Sequence, residues 1–407
     1  MRRSLTWLTG LRIRLAGLAG LAGLCAVAAG LMSPVGASAA SPCTLYASPS
    51  GSDSAAGTLA RPLASVSALD AALHPGDTGC LESGTYGDMS AGGWSNLSNS
   101  GAPGHLITIT AAPGQNAKIV GLVSISGDYT ALAGLTIDGS NTVFHRQQPV
   151  AGCASTASDG LEIDGHDDVF ENNDLYQSVA GLRGNGMGIG WNGQANNTVV
   201  RYNRIHDVGQ CRAYDHIIYL SHGNNVQIYD NWMWNDPHGW AVQVYPAAAN
   251  AHIYDNVIDR VGSGFVVGGS SQVTGNRIDH NIILNSTGLP DAGLARGVGM
   301  STCCGLGPGN TFTDNDVYDN AGGIAAASGV QMHGNSTAPP QLADPADHDF
   351  STTTVTPAAL SRWGLWDGGL GADHAMAAGA LHRTTRHAMA KRHTASRRRH
   401  RHKRRHP

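Results

Sequence analysis

Helical periodicity is the first thing this chain lacks. Beyond the N-terminal segment, no stretch sustains apolar residues at a 3.6-residue period through three turns, which excludes a helix bundle. Lysine is nearly missing as well. Lys118 is the single lysine before residue 382, so chemistry that leans on a lysine base has almost no material. The seven cysteines include no C-x-x-C pair, which leaves a tetrahedral zinc site without a starting point. No D-x-D-x-D-G loop marks a calcium site. After residue 40, no apolar run is long enough to cross a bilayer.

What the chain has instead is one small pattern, repeated. Its plainest copy is VQIYDNWMW, residues 226–234, where Ile228 and Met233 flank Asn231. The same offsets place Phe170 and Leu175 around Asn173, Val200 and Ile205 around Asn203, and Ile253 and Ile258 around Asn256. Ile278 and Ile283 flank Asn281, Phe312 and Val317 flank Asn315, and Met332 precedes Asn335 before Thr337 breaks the rule. Spacings of 30, 28, 25, 25, 34 and 20 residues fit a solenoid whose coils carry loops of unequal length. The apolar stretches are short, alternate with period two and are punctuated by Gly, Asn and Asp, so the repeating units are strands. An Asn between two short strands takes a left-handed backbone at modest cost, and its amide bonds to neighbouring backbone. One per coil predicts an internal asparagine ladder at a turn of a single-stranded parallel β-helix of about eight to ten coils.

Charge and cysteine usage divide the chain. Four Arg precede a small-residue apolar run and Ala37-Ser38-Ala39, which reads as a secretory signal peptide over residues 1–40. All 30 Asp and Glu lie between this segment and residue 382, and the last 26 residues hold eleven Lys or Arg, six His and no acid. An acidic body thus ends in a basic tail, 382–407, that has too little apolar surface to fold. The tail suits an anionic cell-wall polymer, and no folded nucleic-acid motif accompanies it. Export makes Cys43, Cys80, Cys153, Cys211, Cys303 and Cys304 candidates for disulfides. Cys43 with Cys80 would tie down the N-terminal cap and Cys153 with Cys211 would join neighbouring loops. Cys303 and Cys304 would form a strained vicinal bond or take separate partners.

Along the chain, residues 41–104 read as a cap and first coil. There Leu63, Val66, Leu69, Ala72 and Leu73 share an apolar face on a short helix opened by Pro62. The repeats occupy 105–336, with strands at Leu161-Ile163, Met187-Ile189, Ile218-Leu220, Val242-Val244, Phe265-Val267, Val298-Met300 and Ile324-Ala326. Residues 337–381 read as a capping segment or linker, in which SRWGLWDGG (361–369) presses two tryptophans on the last coil.

The opening from Tyr46 to Tyr86, with Y-x-S-P-x-G-S-D, P-G-D and G-T-Y, and the asparagine coils after it resemble secreted right-handed parallel β-helix proteins, which include the pectate-lyase-like enzymes. The resemblance covers roughly residues 44–336. It implies an all-β solenoid with an N-terminal helical cap, and a secreted, monomeric protein directed at an extracellular polysaccharide. It does not select among lyases, glycosidases, epimerases and proteins without catalysis. The calcium-dependent lyases of the group use Lys or Arg as base, and the scarcity of lysine departs from that. Ca2+ is the one cofactor the resemblance allows. Asp236-Pro237-His238 resembles the D-P-H of mannuronan epimerases, where the Asp, the His and a nearby Tyr exchange protons.

The richest candidate site joins YDHIIYLSHG (214–223) to DPHGWAVQVY (236–245). If Ile163, Ile189, Leu220 and Val244 face inward, then Glu162, Gly190, Tyr219, Gln243, Val266 and Gly299 face outward on adjacent coils about 4.8 Å apart. The leading expectation is a polysaccharide lyase or related proton-abstracting enzyme on an extracellular polysaccharide, with Tyr219 as proton donor or base and His216 and His238 as its partners. Tyr245, Trp240, Gln243 and Glu162 are expected sugar contacts, and Arg183 is the nearest cation for a carboxylate. Two readings stay open beside this one. A two-carboxylate glycosidase would use Asp159, Glu162 or Asp164 with Asp215, and a non-catalytic carbohydrate-binding or cell-envelope protein would use the same cluster for packing and loop support.

Overall fold

The computed structural model describes residues 43–87, 94–140, 155–156, 159–179, 182–294, 296–325 and 327–352. By its contacts the chain divides into Met1–Ala37 and Ser38–Pro407, and the first unit lies wholly outside the described residues. The signal segment, the tryptophan segment 361–369 and the basic tail therefore fall outside as well.

Among the described residues every pairing between coils is parallel, and a complete coil contributes a strand segment to each of three faces. Among the described residues the first face is an eleven-stranded sheet that runs from Leu45–Ala47 to Gln331–His333, while the second face counts nine strands and the third eight, in keeping with the eight to ten coils expected. The second and third faces belong to one fifteen-stranded sheet. They merge where Trp232–Ala249 and Val257–Gly268 run unbroken from one face to the other.

The offsets around each asparagine now have a cause. On the first face the middle residue of each three-residue strand turns inward, giving the core column Leu132, Phe170, Val200, Ile228, Ile253, Ile278 and Phe312. On the second face the inward middle residues are Ile137, Leu175, Ile205, Met233, Ile258, Ile283 and Val317. Asn173, Asn203, Asn231, Asn256, Asn281 and Asn315 sit at the corner between these faces and are fully buried. After the first rung, where Asn173 Oδ1 accepts from Leu135 N–H, each side-chain oxygen accepts from the backbone N–H and the amide of the Asn one coil earlier, as Asn231 Oδ1 does from Asn203 N (3.0 Å) and Nδ2 (2.9 Å). Each amide also donates to a backbone carbonyl, Val200 O at 3.0 Å for Asn231. The residue before it usually takes the left-handed conformation, as Asn172, Tyr202, Asp230, Asp255, His280 and Asp314 do. A shorter second ladder, Asn276 to Asn310 at 2.9 Å, stands at another corner.

The N-terminal end is closed by helix α1, Val66–Ala72. Its cap is Ser65, whose hydroxyl accepts from Ala68 N at 3.1 Å, so the helix starts four residues later than a Pro62 opening would place it. Leu69 and Leu73 press on Gly79 so closely that a Cβ there would lie 2.8 Å from Leu73. The Cys43–Cys80 disulfide ties the same end. Ile324 and Ala325 are not a strand; the last strand of the third face is Met300–Cys303. At the other end of the chain, an antiparallel hairpin of Leu342–Asp344 and Asp349–Thr352 returns along the second face and packs Phe350 against Trp232 and Trp234.

Removing a central rung exposes the cost of this corner. Asn231→Ala leaves the Asn203 N–H without its acceptor, at about 1–3 kcal/mol for a buried group left unpaired, and removes the amide donor from Val200 O and from Asn256 Oδ1, which keeps the residue-231 backbone N–H. It is expected to lower the thermal unfolding midpoint clearly more than Asn335→Ala at the half-buried end of the ladder. Equal shifts in the two variants would contradict a continuous ladder.

Candidate functional site

The third face reverses the parity of the other two. Both ends of its strands point inward, as Leu161 with Ile163, Met187 with Ile189 and Ile218 with Leu220 do, all fully buried. One middle residue per coil is left facing out. The observed column is Ser124, Glu162, Gly188, Tyr219, Gln243, Val266 and Ser301. Gly190 and Gly299, expected in this column, are replaced by Gly188 and Ser301. The last step differs because Phe265 pairs with Met300 and not with Val298.

Glycine at 188 opens the floor. A Cβ there would stand 2.0 Å from Trp191 Nε1 and 2.1 Å from Asp159 Oδ2, so the space belongs to those two side chains. Trp191 donates a short hydrogen bond to Asp159, which also accepts from Asn185 Nδ2 at 2.8 Å. The Trp191 ring stacks on Tyr219, with centroids 4.4 Å apart and an angle of 20°. Asn185 in turn accepts from the His216 backbone N–H at 2.8 Å. A single network thus links Asp159 to the strand that carries Tyr219. Trp191 and Asn185 were not selected from the sequence. Their signal is the run Gly188-Ile189-Gly190-Trp191, a tryptophan set beside positions without side chains.

Tyr219, Gln243 and Tyr245 are half-buried and open to the outer face. Burial, reinforced by Tyr245, Asp159 and Cys303, pushes the Tyr219 phenol above its ordinary ionisation range, so the group is a neutral donor. His216 lies with its ring 5.6 Å from Tyr219 but is fully buried, contrary to the accessible partner expected. Its Nδ1 accepts from Trp240 N–H at 3.3 Å, and burial holds its pKa down at about 3 against the opposing contacts of Gln243 and Trp240. The imidazole is neutral and positions neighbours; it does not meet solvent as a base.

The structure separates the other expected members. His238 is exposed within the strand Trp232–Ala249 and shares no ring contact or hydrogen bond with Tyr219 or His216 among the described residues. Asp236 is fully buried and accepts from Gly239 N–H at 2.9 Å, and burial, then nearby Asp215, raises its pKa well above the usual carboxylate range. The two ends of the D-P-H triplet therefore point into different environments. Trp240 is 9% exposed; it packs with Ala213, Val266 and Leu289, and its Nε1 donates to Ser301 at 3.1 Å, so it forms the wall and not an open sugar platform. The exposed ring on that side is Tyr214, at 59%. Glu162 occupies an outward register position yet is 1% exposed, and Asp215 is fully buried and accepts from Arg212 N–H at 3.0 Å. Glu162 and Asp215 thus do not flank an open cleft as a carboxylate pair. The Arg183 backbone lies in the strand Leu182–Arg183, and its side chain falls outside the described residues. Among the described residues no group of three or more His, Cys, Asp or Glu is arranged to hold a metal ion.

Cys303 and Cys304 carry free thiols and form neither a vicinal bond nor separate disulfides. Cys211 is disulfide-bonded, and its expected partner Cys153 lies outside the described residues.

Residues 133–299 match the family described as a right handed beta helix region, the fold expected from the repeats and the handedness implied by the resemblance. No curated protein matches the chain. Among solved structures, the chain is similar to a pectate lyase, with 16% identity over 74% of this chain and 83% of that one and a TM-score of 0.45. It is also similar to a GH136 lacto-N-biosidase from Eubacterium ramulus, with 13% identity, 71% and 67% coverage and a TM-score of 0.39. An alginate lyase from Paenibacillus sp. str. FPU-7 shares 16% identity over 67% of this chain and 96% of that chain, with a TM-score of 0.38. Likenesses this distant do not bear on reaction or substrate.

The buried neutral histidine gives a signed pH effect. A His216 held at about 3 when folded and near 6.5 when unfolded contributes stability that is complete above pH 6.5 and is lost as pH falls through that window toward 3. The loss approaches about 1.4 kcal/mol per pH unit. Chemical denaturation across this range is expected to give a shallower acid decline for His216→Asn than for the parent chain. Parallel declines would contradict a buried neutral imidazole.

Proposed function

We propose that the third face carries a carbohydrate-binding groove, and that the protein is an extracellular, carbohydrate-active one directed at a neutral or weakly charged polysaccharide. The observation that carries this reading is the outward placement of Trp191, Tyr219, Gln243 and Tyr245 on adjacent coils. Aromatic rings offer flat apolar faces to the C–H side of a sugar, and the amide and phenols serve its hydroxyls. Residues two coils apart are separated by about 10 Å, the length of a sugar ring with its flanking bonds.

Within the groove, Tyr219 is the group suited to move a proton. Held neutral, it donates to the glycosidic oxygen that leaves, in elimination or in hydrolysis. Elimination requires in addition a base for a ring C–H, and a phenol that burial keeps protonated serves that step less well. The acidic body repels a polyuronate unless calcium bridges the two, which favours a neutral chain. Export through residues 1–40 and tethering of the tail 382–407 to an anionic envelope polymer complete this reading. A second reading, binding without turnover, is favoured by the burial of His216, Glu162 and Asp215, which withdraws three expected proton carriers from the open face.

The test is a panel of neutral and acidic polysaccharides, with and without Ca2+, followed by ultraviolet absorbance of unsaturated ends and by reducing ends. Both signals together mean elimination, and reducing ends alone mean hydrolysis. Binding with neither signal selects the second reading. In a chain that turns over, Tyr219→Phe is expected to lower turnover by about 10²-fold or more, the usual worth of a positioned acid. Parent rates in a folded Tyr219→Phe variant would remove Tyr219 from the chemistry.

A further inference from the structure

The cysteines fall into two chemical states. Cys43 and Cys80 are joined and Cys211 is disulfide-bonded, whereas Cys303 and Cys304 keep their thiols. Disulfides persist in oxidising compartments, where two adjacent free thiols are the exception that asks for a chemical role.

Their placement is built. Cys303 ends the strand Met300–Cys303 in register with Gly268. A Cβ on Gly268 would stand 2.8 Å from the Cys303 sulfur, so the absent side chain makes the room in which that sulfur lies. Cys303 also packs against the cluster of Trp240, Val266 and Leu289, beside the outward column that carries Tyr219. Cys304 follows in the left-handed conformation, with φ 61°, and is exposed.

We propose that Cys303 and Cys304 are a redox-active vicinal dithiol that closes to a disulfide by exchange with a small disulfide, R–S–S–R. The exposed Cys304 thiol gives its proton to solvent, and the thiolate attacks one sulfur of R–S–S–R. A mixed disulfide forms and RS⁻ leaves. Cys303 then loses its proton to the departing thiolate and attacks the Cys304 sulfur. The mixed bond breaks, the Cys303–Cys304 bond forms, and the second RS⁻ leaves to be protonated by solvent. Two electrons pass from the dithiol to R–S–S–R, which ends as two RSH. The order follows from exposure: burial and the adjoining Cys304 thiol push Cys303 up to about 12, so Cys304 attacks first and Cys303 resolves. The chemistry stands on the thiol pair and does not depend on what the groove binds.

The experiment uses the full chain, purified without reductant, incubated with oxidised glutathione, alkylated with iodoacetamide and analysed as peptides by mass spectrometry. The peptide that spans Cys303 and Cys304 is expected to be two hydrogens lighter than its dithiol form, with neither alkylation nor glutathione. Cys303→Ser, which lacks the resolving thiol, is expected to retain glutathione on Cys304. A glutathione adduct that persists on Cys304 of the parent chain, or two thiols that stay alkylatable after the incubation, would overturn the proposal.

Discussion

The corner asparagine is the interaction on which the rest of the structure depends. A parallel β-helix must turn its chain between two faces in every coil without leaving buried backbone groups unpaired. A single side chain solves this by bonding to backbone in its own turn and to the asparagines above and below. Because the ladder fixes the corner, the residues three before and two after it must be the inward middles of the first and second faces. The core then forms as uninterrupted columns of Ile, Val, Leu and Phe. The cost of breaking one rung is shared with both neighbours, which ties each coil to the next.

That constraint also explains what the third face is free to do. Its strands put two residues inward for each one outward, so its outer residues carry little of the core. Loops from the second face to the third vary in length and are not held by the corner ladder. Variation is thus confined to one side of the stack, where Trp191, Tyr219, Gln243 and Tyr245 gather. The first face spends its aromatic groups differently. Tyr229 and Tyr254 stack on each other at 4.8 Å, and Arg201 bonds to both Glu171 and Tyr229, so those rings are occupied within the protein.

The ladder, the strand period and the inward columns were legible because they recur at fixed offsets, which a local reading detects without knowing the loops. The parity of the third face was legible too, from Ile163, Ile189, Leu220 and Val244. Its outward column was read two positions off at Gly190 and Gly299, with the parity kept, because register is set by hydrogen bonds between distant residues and not by a neighbour's pattern. Burial was least legible. His216, Asp236 and Glu162 look like candidates for exposed chemistry, yet packing from other coils closes over them. Trp191 was missed because its place in the groove is made by the absence of a side chain on Gly188.

The central claim is that ligand contacts lie on the third face alone. Hydroxyl-radical footprinting of aromatic side chains, with and without a saturating oligosaccharide from a polymer that binds, reads this directly. Protection of Trp191, Tyr219 and Tyr245 is predicted, with Tyr229 and Tyr254 on the first face unchanged. Protection of Tyr229 and Tyr254 with Trp191, Tyr219 and Tyr245 still oxidised at their free rates would contradict it.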